Sequence, residues 1–364
     1  MKIPKPVSYK NSMLDKVIYV IRLSRYISQR ENISLLTLFL EMLVLYITKR
    51  LGPLLYFEAR LWRKGLSLRK KMRYFNESQY KRRINELNPE AYRKFSNNKL
   101  VEKSILTLLG IPTAEFIGYL HSATGSDCEG NQLINCQQFK DFLLLHDGEK
   151  LCFKLTEGWG GTGFLAVLVS KGEKGLYLSS LVEKSKKIPV NKFFDMYLLN
   201  NIHHGFVIES YIKQHDILAN LNESSVNTLR VWVIQQDEKV KVVGALLRLG
   251  REGQLVDNSN QGGIICLLNL TTGKIKQGMT TGIIPCEFDR HPDSGAQLSG
   301  VQLPFWRESM NLAKSCLRVF PNTNFVGLDI AISVSGPIIV ELNQEPDKVG
   351  ARSFDQPHAD LLRY

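Results

Sequence analysis

The 364-residue sequence lacks several patterns that would assign it to a familiar class. Its six cysteines form no CxxC pair and have no His-rich partner motif, which argues against a structural zinc site and a disulfide framework. We therefore expect reduced thiols in a cytoplasmic protein. The first residues, MKIPKPVSYKNSMLDK, contain no apolar run, so we expect no cleavable signal peptide. No Ser-His-Asp or Cys-His pattern indicates a covalent nucleophile.

Positive charge is concentrated at one end of the chain. Residues 1–103 carry 23 Lys and Arg against 8 Asp and Glu, whereas the remainder carries 24 against 27. The basic run RKGLSLRKKMRYFNESQYKRR, residues 63–83, is either a solvated helical face or a surface for lipid head groups, an anionic glycan or nucleic acid. No nucleic-acid-binding motif accompanies the charge, which disfavours nucleic acid.

The apolar run ISLLTLFLEMLVLYI, residues 33–47, is shorter than the ~20 residues that span a bilayer. It is interrupted by Glu41 and bracketed by Arg30 and by Lys49-Arg50. A buried helix, an interfacial membrane helix assisted by basic neighbours, and a spanning helix are the alternatives. The interfacial alternative would place the basic N-terminal helices peripherally at the inner face of the membrane.

The residue pattern changes near position 95. Residues 14 to about 94 predict helices, and mixed strands and helices follow. The segment NTLRVWVIQQDEKVKVVGALLRLG predicts two strands joined by a polar turn, and residues 305–320 have apolar side chains at helical spacing. We therefore predict an α+β chain with antiparallel sheets. Its predicted parts are a helical basic region over 1–94 and a domain over 95–364 with lobes 95–208 and 209–364.

Three polar residues interrupt the apolar hairpin GLDIAISVSGPIIVELNQ, residues 327–344. If its turn centres near Ser335, Asp329 lies opposite Glu341, and Asn343 projects from the same face as Glu341. Buried carboxylates placed together repel each other, and a hard cation such as Mg²⁺ removes this cost. The alternative is a polar sheet face turned toward solvent.

A glycine-rich loop follows a lysine in FKLTEGWGGTGF, residues 153–164. Glycines let backbone N–H groups wrap phosphate oxygens, and Lys154 supplies positive charge. The loop has neither Walker nor GxGxxG spacing, and a flexible surface turn is the alternative. The loop residues predicted to bind phosphate are Gly160, Gly161, Thr162 and Gly163.

Two arginines lie in otherwise apolar predicted strands. Arg230 and Arg248 either pair with structural acids or bind a phosphate or carboxylate in bidentate fashion, through two of the guanidinium nitrogens. Downstream, the segment VDNSNQGG indicates a substrate-facing loop. Its candidate residues are Asp257, Asn258, Gly262 and Gly263.

The segment FVIESYIKQHD runs from an apolar strand into Glu209. A strand that leaves a core with an acid at its end can present a carboxylate and backbone groups to an adenine edge. Asp216 follows seven residues later, where it can reach a ribose. The alternative is an ordinary loop or helix start.

Taken in this order, these elements resemble the ATP-grasp superfamily, and more narrowly the sugar-transfer-associated ATP-grasp group, which is related to the α-L-glutamate ligases. The resemblance covers roughly residues 95–345. Its segments are NNKLVEKSILTLLGIPT, FKLTEGWGGTG, ESYIKQHD, NTLRVWV, LLRLG, VDNSNQGG, HPDSG and GLDIAISVSGPIIVELNQ.

The resemblance implies a cleft in which two α+β lobes hold ATP between antiparallel sheets. Lys99 and Lys154 would be the nucleotide lysines, and the glycine loop would close over the phosphates. Glu209 and the backbone near Ile212 would meet adenine, with Asp216 or His215 near the ribose. Asp329, Glu341 and Asn343 would hold one or two Mg²⁺ ions, and Arg248 and Arg230 would stabilise the transferred phosphoryl group.

The activity implied by the resemblance is ADP-forming ligation. A substrate carboxylate becomes an acyl phosphate, which an amine or another nucleophile then attacks. The group's association with surface polysaccharides implies a small-molecule or glycan carboxylate, such as a uronic acid or an amino acid, with an amine acceptor. The alternatives are a kinase of the same fold that phosphorylates a hydroxyl, and a non-catalytic nucleotide-binding or membrane-associated protein. Many such ligases begin with an α/β domain, whereas this chain begins with basic helices, so acceptor recognition is not carried over.

Overall fold

The structure is a computed structural model, and it divides the chain into two compact units that are each discontinuous in sequence. The first unit comprises Met1–Glu86, Gly282–Pro285 and Asp347–Tyr364, and the second comprises Leu87–Thr281 and Cys286–Pro346. The domain boundary expected after residue 94 stays a prediction. The residues that the structure describes are 4, 12–158, 160–183, 185–257, 262–347, 354 and 356–363.

The first unit is built from helices, as the sequence predicted. Helix α1 begins with a capping box, in which Ser12 Oγ accepts a hydrogen bond from Asp15 N at 3.1 Å and the Asp15 carboxylate accepts one from Ser12 N. Asn32 and Arg50 have left-handed φ values of 50° and 54° and end the first two helices. The helices are α1 (Met13–Glu31), α2 (Leu35–Lys49), α3 (Pro53–Glu58), α4 (Leu68–Lys71), α5 (Glu77–Leu87, whose last residue is in the second unit) and α12 (His358–Leu361).

The core of the first unit lies where α1, α2 and α3 meet. Leu23 and Ile27 of α1 pack with Leu38 and Leu45 of α2, and all four are fully buried. Among the described residues, no helix is both long and apolar enough to cross a membrane.

The second unit contains two seven-stranded sheets in which every pair of neighbouring strands is antiparallel, which confirms the predicted α+β class. The strands of the first sheet are β1 (Phe116–Leu120), β2 (Ser126–Asp127), β3 (Lys150–Leu155), β4 (Leu165–Gly172), β5 (Gly175–Ser180), β6 (Lys187–Pro189) and β7 (Phe206–Ser210). Their order is β2-β1-β7-β3-β4-β5-β6. The lobe boundary predicted between residues 208 and 209 therefore falls inside β7.

The second sheet has the order β12-β11-β10-β9-β8-β13-β14. The predicted hairpin of β8 and β9 is present, and Asp237 turns it with a left-handed φ of 53°. The strands are β8 (Thr228–Gln236), β9 (Lys239–Leu249), β10 (Ile264–Leu268), β11 (Ile275–Thr280), β12 (Glu287–Phe288), β13 (Phe325–Ser333) and β14 (Gly336–Asn343).

Helices cover the cores of both sheets. Helix α11 confirms the helical pattern predicted for residues 305–320, and its buried side chains, including Ala313 and Leu317, join the core of the second sheet. All six cysteines are free thiols, as expected. The helices of this unit are α6 (Glu90–Asn97), α7 (Lys99–Leu108), α8 (Cys136–Leu144), α9 (Val190–Phe193), which continues into a π-helical turn (Phe194–Leu198), α10 (Asp216–Leu221) and α11 (Trp306–Arg318).

The β13–β14 hairpin has the register that the sequence predicted. Asp329 lies opposite Glu341, and Gly327 lies opposite Asn343. Residues directly opposed in an antiparallel pair share a face of the sheet, so Asp329, Glu341 and Asn343 project to the same side.

The side chain of Asn88 links the two strands of this hairpin at the end opposite its turn. It is fully buried, and Nδ2 donates to the carbonyl oxygens of Phe325 and Gln344 at 2.7 and 2.6 Å. Its Oδ1 accepts hydrogen bonds from the N–H groups of Asn324 and Phe325. One side chain therefore holds the start of β13 against the segment that follows β14.

We expect Asn88→Ala to destabilise the second unit by about 2–3 kcal/mol, because it leaves several buried backbone groups without partners. Urea unfolding followed by tryptophan fluorescence measures the change. Asn220→Ala, on the exposed side of α10, is the matched control and should be close to neutral. Equal effects of the two substitutions would contradict the role of Asn88.

Candidate active site

A row of charged side chains crosses the second sheet at one level. Arg230 of β8 lies opposite Asp329 of β13, which lies opposite Glu341 of β14. Arg230 Nε is 2.9 Å from Asp329 Oδ1. Glu341 is half-buried, and its Oε1 is 3.6 Å from Lys99 Nζ. The register of three strands therefore brings two predicted metal ligands, a predicted catalytic arginine and a predicted nucleotide lysine together.

Arg248 of β9 reaches the same carboxylate from the next level of the sheet. Its Nη2 is 2.6 Å from Asp329 Oδ2 and donates a hydrogen bond to Thr228 Oγ1 at 3.0 Å. Its Nε is 3.7 Å from Asp257 Oδ2. Burial by itself lowers the pKa of Arg248, but Asp257 and Asp329 more than offset this effect and hold the pKa above its ordinary value. Both arginines thus pair with acids of the protein, and a second role in binding an anion stays a prediction.

Gly327 leaves room for the guanidinium group of Arg230. A Cβ atom at this position would lie 3.3 Å from Arg230 Nη1 and 2.8 Å from Pro346 Cβ. A larger residue would therefore push against the side chain that pairs with Asp329.

In the first sheet, a buried carboxylate joins two lysines. Glu209 of β7 is 2% exposed; its Oε1 is 2.7 Å from Lys103 Nζ and its Oε2 is 2.6 Å from Lys154 Nζ. Burial by itself raises the pKa of Glu209, but the two ammonium groups reverse the shift and hold the pKa below its ordinary value. Burial likewise lowers the pKa of Lys154, and Glu209 reverses that shift upward. Since both carboxylate oxygens are engaged, contact of Glu209 with adenine stays a prediction.

Helix α7 connects the two sheets. Lys99 starts the helix, its N–H donates to Thr156 O at 2.9 Å, and its Nζ donates to Gly158 O at 2.8 Å. One turn later Glu102 accepts a hydrogen bond at Oε1 from Leu342 N of β14, at 3.0 Å. Lys103, the next residue, binds Glu209 of the first sheet. Positions i, i+3 and i+4 of one helix face thus contact strands of both lobes.

The glycine loop begins beside Lys99 and approaches the second lobe. Gly161 has a φ of 80°, and a Cβ atom there would lie 3.2 Å from Val256 Cγ1. Gly163 has a φ of 70°, and a Cβ atom there would lie 2.5 Å from Leu155 Cδ1. These positions therefore require glycine. Gly160, Gly161, Thr162 and Gly163 are all exposed, and their contact with phosphate stays a prediction.

The residues predicted to contact the nucleoside follow β7. Ile212 is half-buried, and Asp216 is exposed at the start of α10. His215 caps this helix, because its Nδ1 accepts a hydrogen bond from Ile217 N at 3.2 Å. The backbone N–H of His215 donates to Ile332 O of β13. His215 therefore has a structural role in addition to the predicted contact with ribose.

The predicted substrate loop is only partly described. Asp257 is buried and accepts hydrogen bonds at Oδ2 from Thr228 N at 2.9 Å and Thr228 Oγ1 at 2.5 Å. Gly262 and Gly263 precede β10, and Gly262 has a φ of 91°. Asn258 lies outside the described residues. Asp257 thus supports Thr228 and Arg248, and contact of this loop with substrate stays a prediction.

Sequence reasoning missed three residues of the site. Glu102 and Lys103 stand three and four residues after Lys99, and this helical spacing is the signal that could have found them. Thr228 stands two residues before Arg230, which places both side chains on one face of β8. Thr228 also binds Asp257, which lies 29 residues later in the chain, and no local sequence pattern indicates this contact.

The oxygen-bearing side chains of β13 and β14 fit a hard cation. Asp329 Oδ1 is buried and accepts no well-aligned hydrogen bond, although Arg230 Nε lies 2.9 Å away. Glu341 and Asn343 are half-buried on the same face. Carboxylate and amide oxygens are the ligands that Mg²⁺ takes from proteins. Among the described residues, no group of three or more His, Cys, Asp or Glu is placed to hold a metal ion.

The two antiparallel lobes define the class of this protein as ATP-grasp. The sequence profile of the family described as sugar-transfer associated ATP-grasp matches residues 76–353, and the chain belongs to that family.

The solved structures that resemble the chain are distant in sequence. The N5-carboxyaminoimidazole synthetase of Staphylococcus aureus, solved with ADP, is 10% identical with a TM-score of 0.39, over 71% of this chain and 47% of that one. The D-alanyl-alanine synthetase A of Vibrio cholerae O1 biovar eltor is 12% identical with a TM-score of 0.38, over 74% of this chain and 63% of that one. The chain thus spans about half the length of the first of these. No curated protein matches the sequence.

The Glu102 carboxyl provides a pH-dependent test of the site. It is 3% exposed, and its Oε2 has no hydrogen-bond partner. Burial, and to a lesser extent the nearby Glu341 carboxylate, raises its pKa well above the ordinary value. Because its pKa is higher in the folded than in the unfolded chain, folding takes up a proton above about pH 4.3. Stability from this group is therefore lost as the pH rises.

We expect wild-type to lose up to ~1.4 kcal/mol of unfolding free energy per pH unit, relative to Glu102→Gln, as the pH rises from 5 toward the folded-state pKa. Urea unfolding of both proteins at pH 5, 6, 7 and 8 measures the difference. Glu238→Gln, in the exposed β8–β9 turn, is the control and should run parallel to wild-type. Parallel curves for Glu102→Gln would show that Glu102 ionises normally.

Proposed function

We propose that the protein is an ADP-forming ligase that activates a carboxylate with ATP and transfers the acyl group to an amine, forming a C–N bond. The proposed carboxylate is a small molecule or a glycan uronic acid, and the proposed setting is the synthesis of surface polysaccharides or amino-acid conjugates. Membership of the sugar-transfer associated ATP-grasp family supports the setting.

The observation that carries the proposal is the convergence of cations, acids and the glycine loop around α7. Lys99 Nζ lies 2.8 Å from the loop carbonyl of Gly158 and 3.6 Å from Glu341 Oε1. Glu341 is opposite Asp329, which two arginines contact. A site of this composition suits phosphoryl transfer, which requires positioning and charge stabilisation more than a covalent nucleophile.

Each group of residues in the site has a separate role in this proposal. Lys99 and Lys154 supply positive charge beside the loop that would cover the phosphates. Arg248 and Arg230 stabilise negative charge on the transferred phosphoryl group and on the acyl phosphate. Asp329, Glu341 and Asn343 would hold Mg²⁺, which neutralises phosphate charge when it is bound. Glu209 and Asp257, both buried, keep Lys154 and Arg248 in place, respectively.

The direct test measures ADP and free phosphate with ATP and Mg²⁺ over a panel of uronic acids and amino acids, added singly and in pairs. A ligase releases phosphate only when both a carboxylate and an amine are present. A phosphorylated hydroxyl acceptor without free phosphate would identify a kinase and overturn the proposal. No turnover with any pair, although ATP binds, would favour a non-catalytic nucleotide-binding protein.

In the same assay we expect Glu341→Gln to lower kcat by about 10²-fold or more, because it removes one charged ligand and the partner of Lys99. The side chain is half-exposed, so the fold should survive the change. Glu238→Gln is the matched control and should keep full activity. Full activity of Glu341→Gln would remove this carboxylate from the proposed site.

A further inference from the structure

The outward face of α2 is apolar and has no cover among the described residues. Eight large apolar side chains of this helix are 36–67% exposed, whereas only Leu38, Met42 and Leu45 are buried. The other exposed residues of the helix are Thr37 and Thr48, so no exposed position of α2 carries a charge. The eight side chains are Leu35, Leu36, Phe39, Leu40, Leu43, Val44, Tyr46 and Ile47.

The only acid of α2 is neutralised inside the unit. Glu41 accepts hydrogen bonds from Tyr56 Oη at 2.6 Å and from Lys71 Nζ at 2.7 Å. Lys71 is 3% exposed, so this ion pair belongs to the interior. One face of α2 is therefore buried within the unit, and the other face is exposed.

The first half of α1 extends the apolar surface. Met13 and Leu14 are 79% and 67% exposed, and Val17, Ile18 and Ile21 are exposed as well. The connection between α1 and α2 is three residues long, and both helices share one core, so they form a helical hairpin. Soluble monomers rarely expose contiguous apolar patches larger than a few hundred Å². Exposed apolar side chains on two packed helices of one unit indicate a binding partner.

Positive charge surrounds this surface. Arg22 and Arg25 are exposed on α1, beyond its apolar turns. Arg50 ends α2 and places its guanidinium carbon 5.8 Å from the centre of the Tyr46 ring. Helix α4, which the Lys71–Glu41 ion pair holds against α2, exposes Arg69 and Lys70. Residues 1–103 carry 23 basic against 8 acidic residues, so the partner should be anionic as well as apolar.

We propose that the α1–α2 hairpin lies in the interfacial region of an anionic lipid bilayer, with its apolar face toward the acyl chains and its arginines and lysines at the head groups. Helix α2 has 15 residues, a length of about 22 Å, whereas the hydrocarbon core is about 30 Å thick. An orientation along the membrane surface fits this length. The proposal is independent of the reaction, and it would bring a ligase to substrates held at a membrane.

Vesicle co-sedimentation of the full chain tests the proposal. The probes are phosphatidylcholine vesicles with and without about one third phosphatidylglycerol, at low and at high salt. We expect the partition coefficient to be about ten-fold or more higher on the anionic vesicles, and to fall as salt screens the head groups. Equal partitioning to both vesicle types, or to neither, would overturn the proposal.

Two double variants separate the surface from general hydrophobicity. Leu40→Glu/Leu43→Glu changes two side chains that are each 52% exposed on α2, and should abolish vesicle binding without loss of helical content. Leu108→Glu/Leu145→Glu changes two leucines that are 84% and 69% exposed in the second unit, and should bind vesicles like wild-type. Analytical ultracentrifugation tests the remaining alternative, that the surface binds a second copy of the chain. A dimer that Leu40→Glu/Leu43→Glu dissociates, with no vesicle binding by wild-type, would assign the surface to a second copy of the chain.

Discussion

The burial of paired charges around α7 is the constraint on which the candidate site depends. A carboxylate or ammonium group taken out of water without a partner is costly, so each must be positioned against an opposite charge. Lys103 and Lys154 share Glu209 in the first sheet, and Arg230 and Arg248 share Asp329 in the second. Helix α7 joins the two sets, because Glu102 binds the backbone of β14 while Lys103 binds β7. The lobes are thereby tied at the level where the glycine loop begins.

Local pattern was sufficient to predict those features that depend on neighbours in the chain. The β13–β14 hairpin follows from the position of one turn, and the helix over residues 305–320 follows from periodicity. The register shifts by one residue between Asp329 and Ile330, so the pairing of Asp329 with Glu341 depends on this bulge as well as on the turn. The shared partner of Arg230 and Arg248 could not be decided in this way, because Asp329 lies on a strand about 80–100 positions later in the chain. For the same reason, the sequence did not show which groups contact the carboxylate of Glu209. In the structure Lys103 and Lys154 bind its two oxygens.

In the N-terminal region, too, the sequence pattern alone could not decide the structure. An apolar run of fifteen residues is compatible with burial, with an interface and with a membrane, because composition does not say which faces find partners. The fold supplies that information: α2 buries one face against α1 and α3 and leaves the other exposed and uncharged. The family assignment covers residues 76–353, and the exposed apolar face of α2 belongs to the helical unit.

Calorimetric titration of ATP into the full chain, with and without Mg²⁺, tests the central claim most directly. We expect that nucleotide binds and that Mg²⁺ strengthens binding, because the proposed site sets lysines and arginines beside the phosphates and assigns Asp329, Glu341 and Asn343 as ligands of Mg²⁺. Saturable binding that weakens clearly when Mg²⁺ is removed is the predicted result. Absence of ATP binding in the presence of Mg²⁺ would contradict the account.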